Sequence, residues 1–296
     1  MATLRELKTR IGSVASSEKI TGAMKMISSA KVHKFESSLK QLVPYRNKIK
    51  SVMAHIMQSG ADFSSPLIET RHEVKKIAFA VFGSDDGLCG AYNINIFKAA
   101  LAELKRFQAK YGPTVEIDIY PIGQKMNKAV SKIADQHIHV VNVKGIDSKM
   151  EAEKVNEFTH GLRDKFATGE YDLVCVEYMH FFSMSRQKAT LETLFPISGE
   201  TLLEGSDSSE ATGMCIFEPD ANSIFNAVLP MFVLSSMQEI TIQNRASEQA
   251  ARVMAMQSAN DNAKKLLESL RLEYNKLRQE NITTELLDIL GGQVER

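Results

Sequence analysis

The chain contains no tryptophan and only three cysteines in 296 residues. Cys89, Cys175 and Cys215 stand far apart. They offer no paired spacing for zinc, and an odd number of thiols cannot close entirely into disulfides, so buried thiols in a reducing compartment are expected. No run of about 18 apolar residues occurs, and no segment is expected to cross a bilayer by itself. The opening residues Met1-Ala2-Thr3-Leu4-Arg5-Glu6 lack an apolar signal core, and Glu6 argues against a transit peptide. A cytoplasmic bacterial protein is the expectation. Two local absences say more. From Met231 to Leu290 there is neither proline nor glycine. Between Lys188 and Arg245 there is no basic residue, while Glu192, Glu200, Glu204, Asp207, Glu210, Glu218, Asp220 and Glu239 accumulate.

The first of these gaps predicts a long helix. Glycine or proline inside a helix costs about 1 or 3 kcal/mol, respectively, and Met231–Leu290 is rich in Ala, Met, Leu, Gln, Glu, Lys and Arg instead. As one helix it would measure roughly 90 Å, too long to hide in a globular core. Ala263, Leu266, Leu270, Leu277 and Thr284 recur at near-heptad spacing, flanked by Leu267, Tyr274 and Leu287, while Ala246, Ala250, Val253 and Ala259 form a thinner stripe before them. Such a stripe is the seam of a coiled coil.

The other end of the chain offers a matching rod. Thr3-Leu4-Arg5-Glu6 is a capping box, and the stripe it opens runs through Leu4, Leu7, Ile11, Val14, Ile20, Met24 and Ile27, then Leu39, Leu42, Ile49, Val52 and Ile56. Gly12 and Gly22 weaken this helix locally, and Pro44 should kink it or mark a contact point. From Thr3 to Gln58 it would be roughly 80 Å long. Each rod lacks another partner for its stripe, so antiparallel pairing of the two is expected.

Between the rods the periodicity changes. Lys76–Phe82 is a nearly continuous apolar run, as in a strand covered on both faces. Val115–Tyr120, His137–Val141, Leu173–Val176 and Ala189–Leu194 are further strands, alternating with helices over Asn93–Tyr111, Gly123–Ala134 and a stretch opened by a second capping box, Ser148-Lys149-Met150-Glu151. That alternation predicts a Rossmann-like α/β domain with a mainly parallel sheet. The expected organisation is an N-terminal coiled-coil helix (1–59), the inserted α/β domain (72–197), an acidic loop and connecting segment (198–230) punctuated by Pro219 and Pro230, and a C-terminal coiled-coil helix (231–296).

The turn Gly83-Ser84-Asp85-Asp86-Gly87-Leu88-Cys89-Gly90 lies where a doubly wound sheet binds phosphate. It matches neither G-x-G-x-x-G nor a P-loop, and two aspartates would repel a pyrophosphate, so a structural turn is favoured over a nucleotide site. His137 and His139 share a strand face without further ligands nearby, and no nucleophile elbow occurs. No catalytic constellation, metal site or cofactor site emerges. The basic first 50 residues fit nucleic acid, an anionic membrane, an acidic protein collar or simply a solvated helix face. Met24 and Lys25 lie in a methionine-rich stretch suited to shifting contacts. Arg278, Gln279, Glu280 and Asn281 form a polar patch near the end of the second rod, which fits either solvated surface or a handle making directional hydrogen bonds.

Four stretches in order, Lys19-Ile20-Thr21-Gly22-Ala23-Met24-Lys25-Met26, Ser84 to Gly90, Ala246 to Met256, and Asn275 to Gly292 with Ile282-Thr283-x-Glu285-x-x-Asp288, together resemble the gamma subunit of F-type ATP synthases over essentially the whole chain. Asp86 departs from that pattern, standing where the family has arginine, and Gln293 stands where alanine follows the paired glycines. The resemblance implies a non-catalytic rotor shaft, peripheral on the cytoplasmic face of the bacterial inner membrane. Its terminal helices would pass through a ring of alpha and beta subunits, and its α/β domain would lie near the epsilon subunit and the rotor ring of c subunits. It also implies ring contacts at Met24, Lys25, Arg278, Gln279 and Thr283, with neither nucleic acid nor nucleotide bound directly. Two other readings remain: a nucleotide-binding α/β enzyme with helical oligomerisation arms, and a coiled-coil chaperone or tether.

Overall fold

Thr3 opens α1 (Leu4–Gln58) as the capping pattern predicts: Thr3 Oγ1 accepts from the Glu6 N–H at 3.3 Å, and Glu6 Oε2 accepts from the Thr3 N–H at 2.8 Å. The computed structural model describes residues 3–59, 62–71, 73–203 and 217–294, with side chains to Leu290. Pro44 lies inside α1 without ending it. The second rod, α6 (Ala221–Val294), begins ten residues before the Met231 expected from sequence, and Pro230 lies within it rather than before it. Asp220 supplies the start by accepting from the Ser223 N–H at 2.8 Å. Phe225, Leu229 and Val233 on the first turns are almost fully buried. Each such side chain contributes about 1.5–3 kcal/mol, so together they outweigh the roughly 3 kcal/mol that an internal proline costs.

The two rods are antiparallel. Asn260 of α6 reaches the Glu18 carbonyl of α1, and Glu239 pairs with Arg46 at 2.8 Å, so rising number on one helix meets falling number on the other. The seam differs from the expected one in detail. Leu267 and Leu270 are buried and Tyr274 and Leu277 half-buried, whereas Leu266 is 44% exposed. Steps of 3-4 and 4-3 fit a helical stripe equally well, and α1 lies on the side of Leu267 rather than Leu266. Thr284 is exposed: α1 starts at Leu4, and among the described residues no element covers α6 beyond about Leu277. At 1.5 Å per residue the helices are about 82 and 111 Å long.

The central sheet has the order β3-β2-β1-β4-β5, with β1 (Lys76–Phe82), β2 (Glu116–Ile122), β3 (Ile138–Val140) and β4 (Leu173–Ser183) parallel and β5 (Arg186–Phe195) antiparallel to β4. The unbroken apolar run of β1 divides by alternation. Ile77, Phe79 and Val81 join the core under α2 (Tyr92–Tyr111) and α3 (Gln124–Val130). Ala78, Ala80 and Phe82 join the other core, made with α4 (Ala152–Ala167), the end of α1 and the start of α6. The shaft is therefore rooted in the sheet. One 18-residue window of α6 reaches a mean hydropathy of 1.2, in the range of a marginal membrane span, but 56% of it is buried inside the molecule.

Two local expectations change. Ser148 does not cap a helix: α4 starts four residues later, after Glu151, and Ser148 serves the turn described below. The segment from Ser198, expected as an exposed loop, first forms α5 (Gly199–Leu203), whose Leu202 is buried. Residues 204–216 of that acidic stretch, Cys215 among them, lie outside the described residues. Cys89 and Cys175 are buried free thiols.

Candidate partner-binding surfaces

The turn after β1 is closed on itself. Asp85 Oδ1 accepts from the Gln124 N–H at 2.9 Å, and its Oδ2 accepts from Ser148 Oγ at 2.7 Å and from the Ser148 N–H at 3.1 Å. Gln124 is the first residue of α3. A carboxylate of the chain itself thus occupies the position at a helix N-terminus that favours an anion. The packing leaves no spare room: a Cβ on Gly83 would stand 2.6 Å from that of Met126, and one on Gly123 (φ +103°) 3.0 Å from the Ser84 carbonyl. Asp86 binds Lys149 at 2.8 Å. That hydrogen bond holds the Asp86 carboxyl below its usual range.

Beside this turn a cleft of about 710 Å³ separates it from α1 and α6. Met24, Ile27, Lys31 and Lys34 line it from one face of α1, opposite Leu88 and Lys149. Leu88 is 60% exposed and holds a left-handed backbone (φ 63°), which sets its side chain out from the turn. Within the cleft Arg252 is neutralised by Glu248 at 2.6 Å and Lys149 by Asp86. Burial pushes the Glu248 carboxyl up, opposed by the Arg252 hydrogen bond. Lys31 and Lys34 have no carboxylate partner among the described residues, so the mouth is basic with apolar walls.

Met24 and Lys25 are half-buried on α1, and their neighbours Met26 and Ile27 are largely exposed. Arg278, Gln279 and Thr283 are all exposed on the overhanging part of α6, where Thr283 Oγ1 donates back to the Gln279 carbonyl at 2.9 Å. The two groups are not brought together. Gly22 lies against Asn260, and Arg278 is about 27 Å further along the helix. Sequence reasoning did not single out Lys31, Lys34, Leu88 or Lys149, although the spacing 24, 27, 31, 34 on one helix face signals the first two. It also omitted the apolar tip, where Leu286, Leu287, Ile289 and Leu290 are each more than half exposed.

A family model described as ATP synthase matches residues 3–294. The ATP synthase gamma chain of Parabacteroides distasonis is 37% identical over 292 residues, covering 99% of this chain and 98% of the relative. That of Bacteroides thetaiotaomicron is 34% identical with both chains covered completely. The chain belongs to the ATP synthase gamma-chain family. Its fold also matches chains in solved ATP synthases. One from Euglena gracilis mitochondria has a TM-score of 0.62 at 17% identity, with 98% of this chain and 93% of that one covered. A central-stalk chain from Tetrahymena thermophila mitochondria has a TM-score of 0.54 at 22% identity, with 81% and 99% covered. Within the gamma-chain family, then, the self-capped turn, the basic cleft and the free helical tip are the features to be assigned roles. The side chain of Gln293, the second departure from the family pattern, lies outside the described residues.

Proposed function

We propose that the free end of α6 and the basic cleft are the two surfaces through which this central shaft bears on the catalytic ring of its ATP synthase, and that the chain performs no chemistry itself. The chain is the rotor shaft of an F-type ATP synthase, a membrane-associated complex. In this reading it stands on the cytoplasmic face of the bacterial inner membrane, with epsilon and the ring of c subunits at its foot. It helps to regulate ATPase activity and ion flow. One observation carries the reading: from Ile282 to Leu290 an exposed helix presents Ile282, Leu286, Leu287, Ile289 and Leu290 with no partner helix among the described residues. So much apolar surface at a helix end calls for an enclosing collar. Met24 lines the cleft and Lys25 follows it on α1, so an acidic lever of a beta subunit bearing on them would also meet Lys31 and Lys34. Arg278, Gln279 and Thr283 supply polar contacts deeper in the ring. Rotation of a lopsided shaft changes each catalytic subunit only if contact energy differs between subunit conformations.

Reconstitution tests this directly. Alpha and beta subunits supplied without this chain should give no rotation-coupled synthesis, and normal coupled synthesis would refute the proposal. Replacing Arg278 and Gln279 together by alanine should leave the complex assembled while ATPase rate or coupling falls; an unchanged rate would remove these residues from the contact.

A further inference from the structure

In a sheet of order β3-β2-β1-β4-β5 the connections leave in opposite directions on either side of the β1–β4 pair. The crevice beyond the carboxyl ends of those two strands is where doubly wound sheets take their ligands. Here that crevice is filled by α6. The β1–β4 register ends at Val81↔Glu177. Two residues further on, Gly83 and Met179 would be opposite each other, but the strands have parted. Asn244 enters the gap, almost fully buried. Its Nδ2 donates to the Gly83 carbonyl at 3.3 Å, and its Oδ1 accepts from the Met179 N–H at 3.3 Å and from Tyr92 Oη at 2.6 Å. A side-chain amide offers the same donor and acceptor as a peptide unit, so Asn244 continues the ladder that the two strands have abandoned. Ser247, also buried, completes it by donating to the Met179 carbonyl at 2.8 Å.

Neighbouring grips share this character. Arg245 Nε donates to the Ser148 carbonyl at 2.8 Å and its Nη2 to the Met150 carbonyl, while Arg252 donates to the Gly87 carbonyl. Apart from the Tyr92 hydroxyl, these grips hold foot main chain rather than foot side chains, so no rotamer change in the foot can loosen those bonds. We infer that Asn244 and Ser247 form a torsional key, in which the shaft helix takes the place of the sheet's ligand and twist passes between foot and shaft. They are positioning residues, and the inference rests on the shaft function proposed above.

The experiment uses the complete complex in sealed vesicles, with Asn244→Leu and Ser247→Ala introduced singly and together. Asn244→Leu keeps the volume and removes the polar bridge. ATP hydrolysis by the assembled complex should stay near the unmodified rate. Ions pumped per ATP should fall severalfold in the double variant, and the deficit should deepen as the opposing ion gradient rises. A merely weakened fold would lower hydrolysis and pumping together and show no such dependence on load. An unchanged pumping ratio under full load would overturn the key. If the double variant fails to assemble, Ser247→Ala alone is judged by the same ratio. Failure of the shaft reading is separate: it would appear as coupled pumping by a complex from which this chain had been omitted.

Discussion

Asn260 shows how a single side chain sets the packing of the shaft. Between Leu7 and Ser28 no residue of α1 is buried, so the seam there is thin. Asn260 Nδ2 donates to the Glu18 carbonyl at 2.7 Å, and a Cβ on Gly22 would come within 3.3 Å of that nitrogen. A polar residue in a coiled-coil seam fixes register at some cost in stability. Two glycine substitutions should therefore diverge. Gly12→Ala, with nothing within 4 Å, should stabilise the chain by about 1 kcal/mol through helix propensity. Gly22→Ala should recover less than half of that, because the held amide must give way; denaturant titration of both variants measures the difference, and equal gains would refute the lock. Glu177 makes a second residue-scale prediction. It is buried with Oε2 unpartnered, and burial, aided by the charge of Glu103, raises its pKa from 4.5 to about 8. The folded form binds this proton more tightly than the unfolded chain, so stability is full below about pH 4.5 and declines as pH rises to 8. Glu177→Gln should flatten that decline, a gain of up to about 5 kcal/mol at pH 9 relative to pH 4. Melting curves across this range check it, and an unaltered pH slope would contradict it.

At the scale of elements, burial divides α6 into a working core and an overhang. Residues from Leu229 to Met256 pack on the sheet and on α1, whereas the side chains from Arg278 to Leu290 are exposed. Removing residues 278–296 should therefore shift the melting temperature by less than about 2 °C, which calorimetry can measure; a large drop would mean that the tip folds back. Both rods and the α/β alternation were legible in the sequence, because helical and strand periodicities leave distinct traces over long windows. Three features were not. The early start of α6 was hidden by Pro230, whose local penalty is outweighed by the burial of Phe225, Leu229 and Val233 against elements distant in sequence. Ser148 matched a capping box, but Asp85, 63 positions earlier, claims its hydroxyl. Choosing Leu267 over Leu266 required knowing where α1 lies. Of the candidate site, the motif residues Met24, Lys25, Arg278, Gln279 and Thr283 could be named from sequence, but the cleft could not, since it is built from four separated segments.

Taken whole, the molecule joins a sheet-based foot to an antiparallel shaft whose longer helix runs past its partner. The end of α1 and the start of α6 cover one face of the sheet, contributing Ile49, Met53, Ile56, Phe225 and Leu229 to its core, so foot and shaft share their hydrophobic stabilisation. The fold provides stiffness along the axis, polar anchoring at the base and an apolar, unpartnered tip, which is what a turning axle held by a protein collar needs. The most direct test is to fix the catalytic ring to a surface, attach a bead to the exposed Lys132 side of the foot and supply ATP. The account predicts that the bead turns continuously in one direction. A bead that stays still while the same complexes hydrolyse ATP at the normal rate would contradict it.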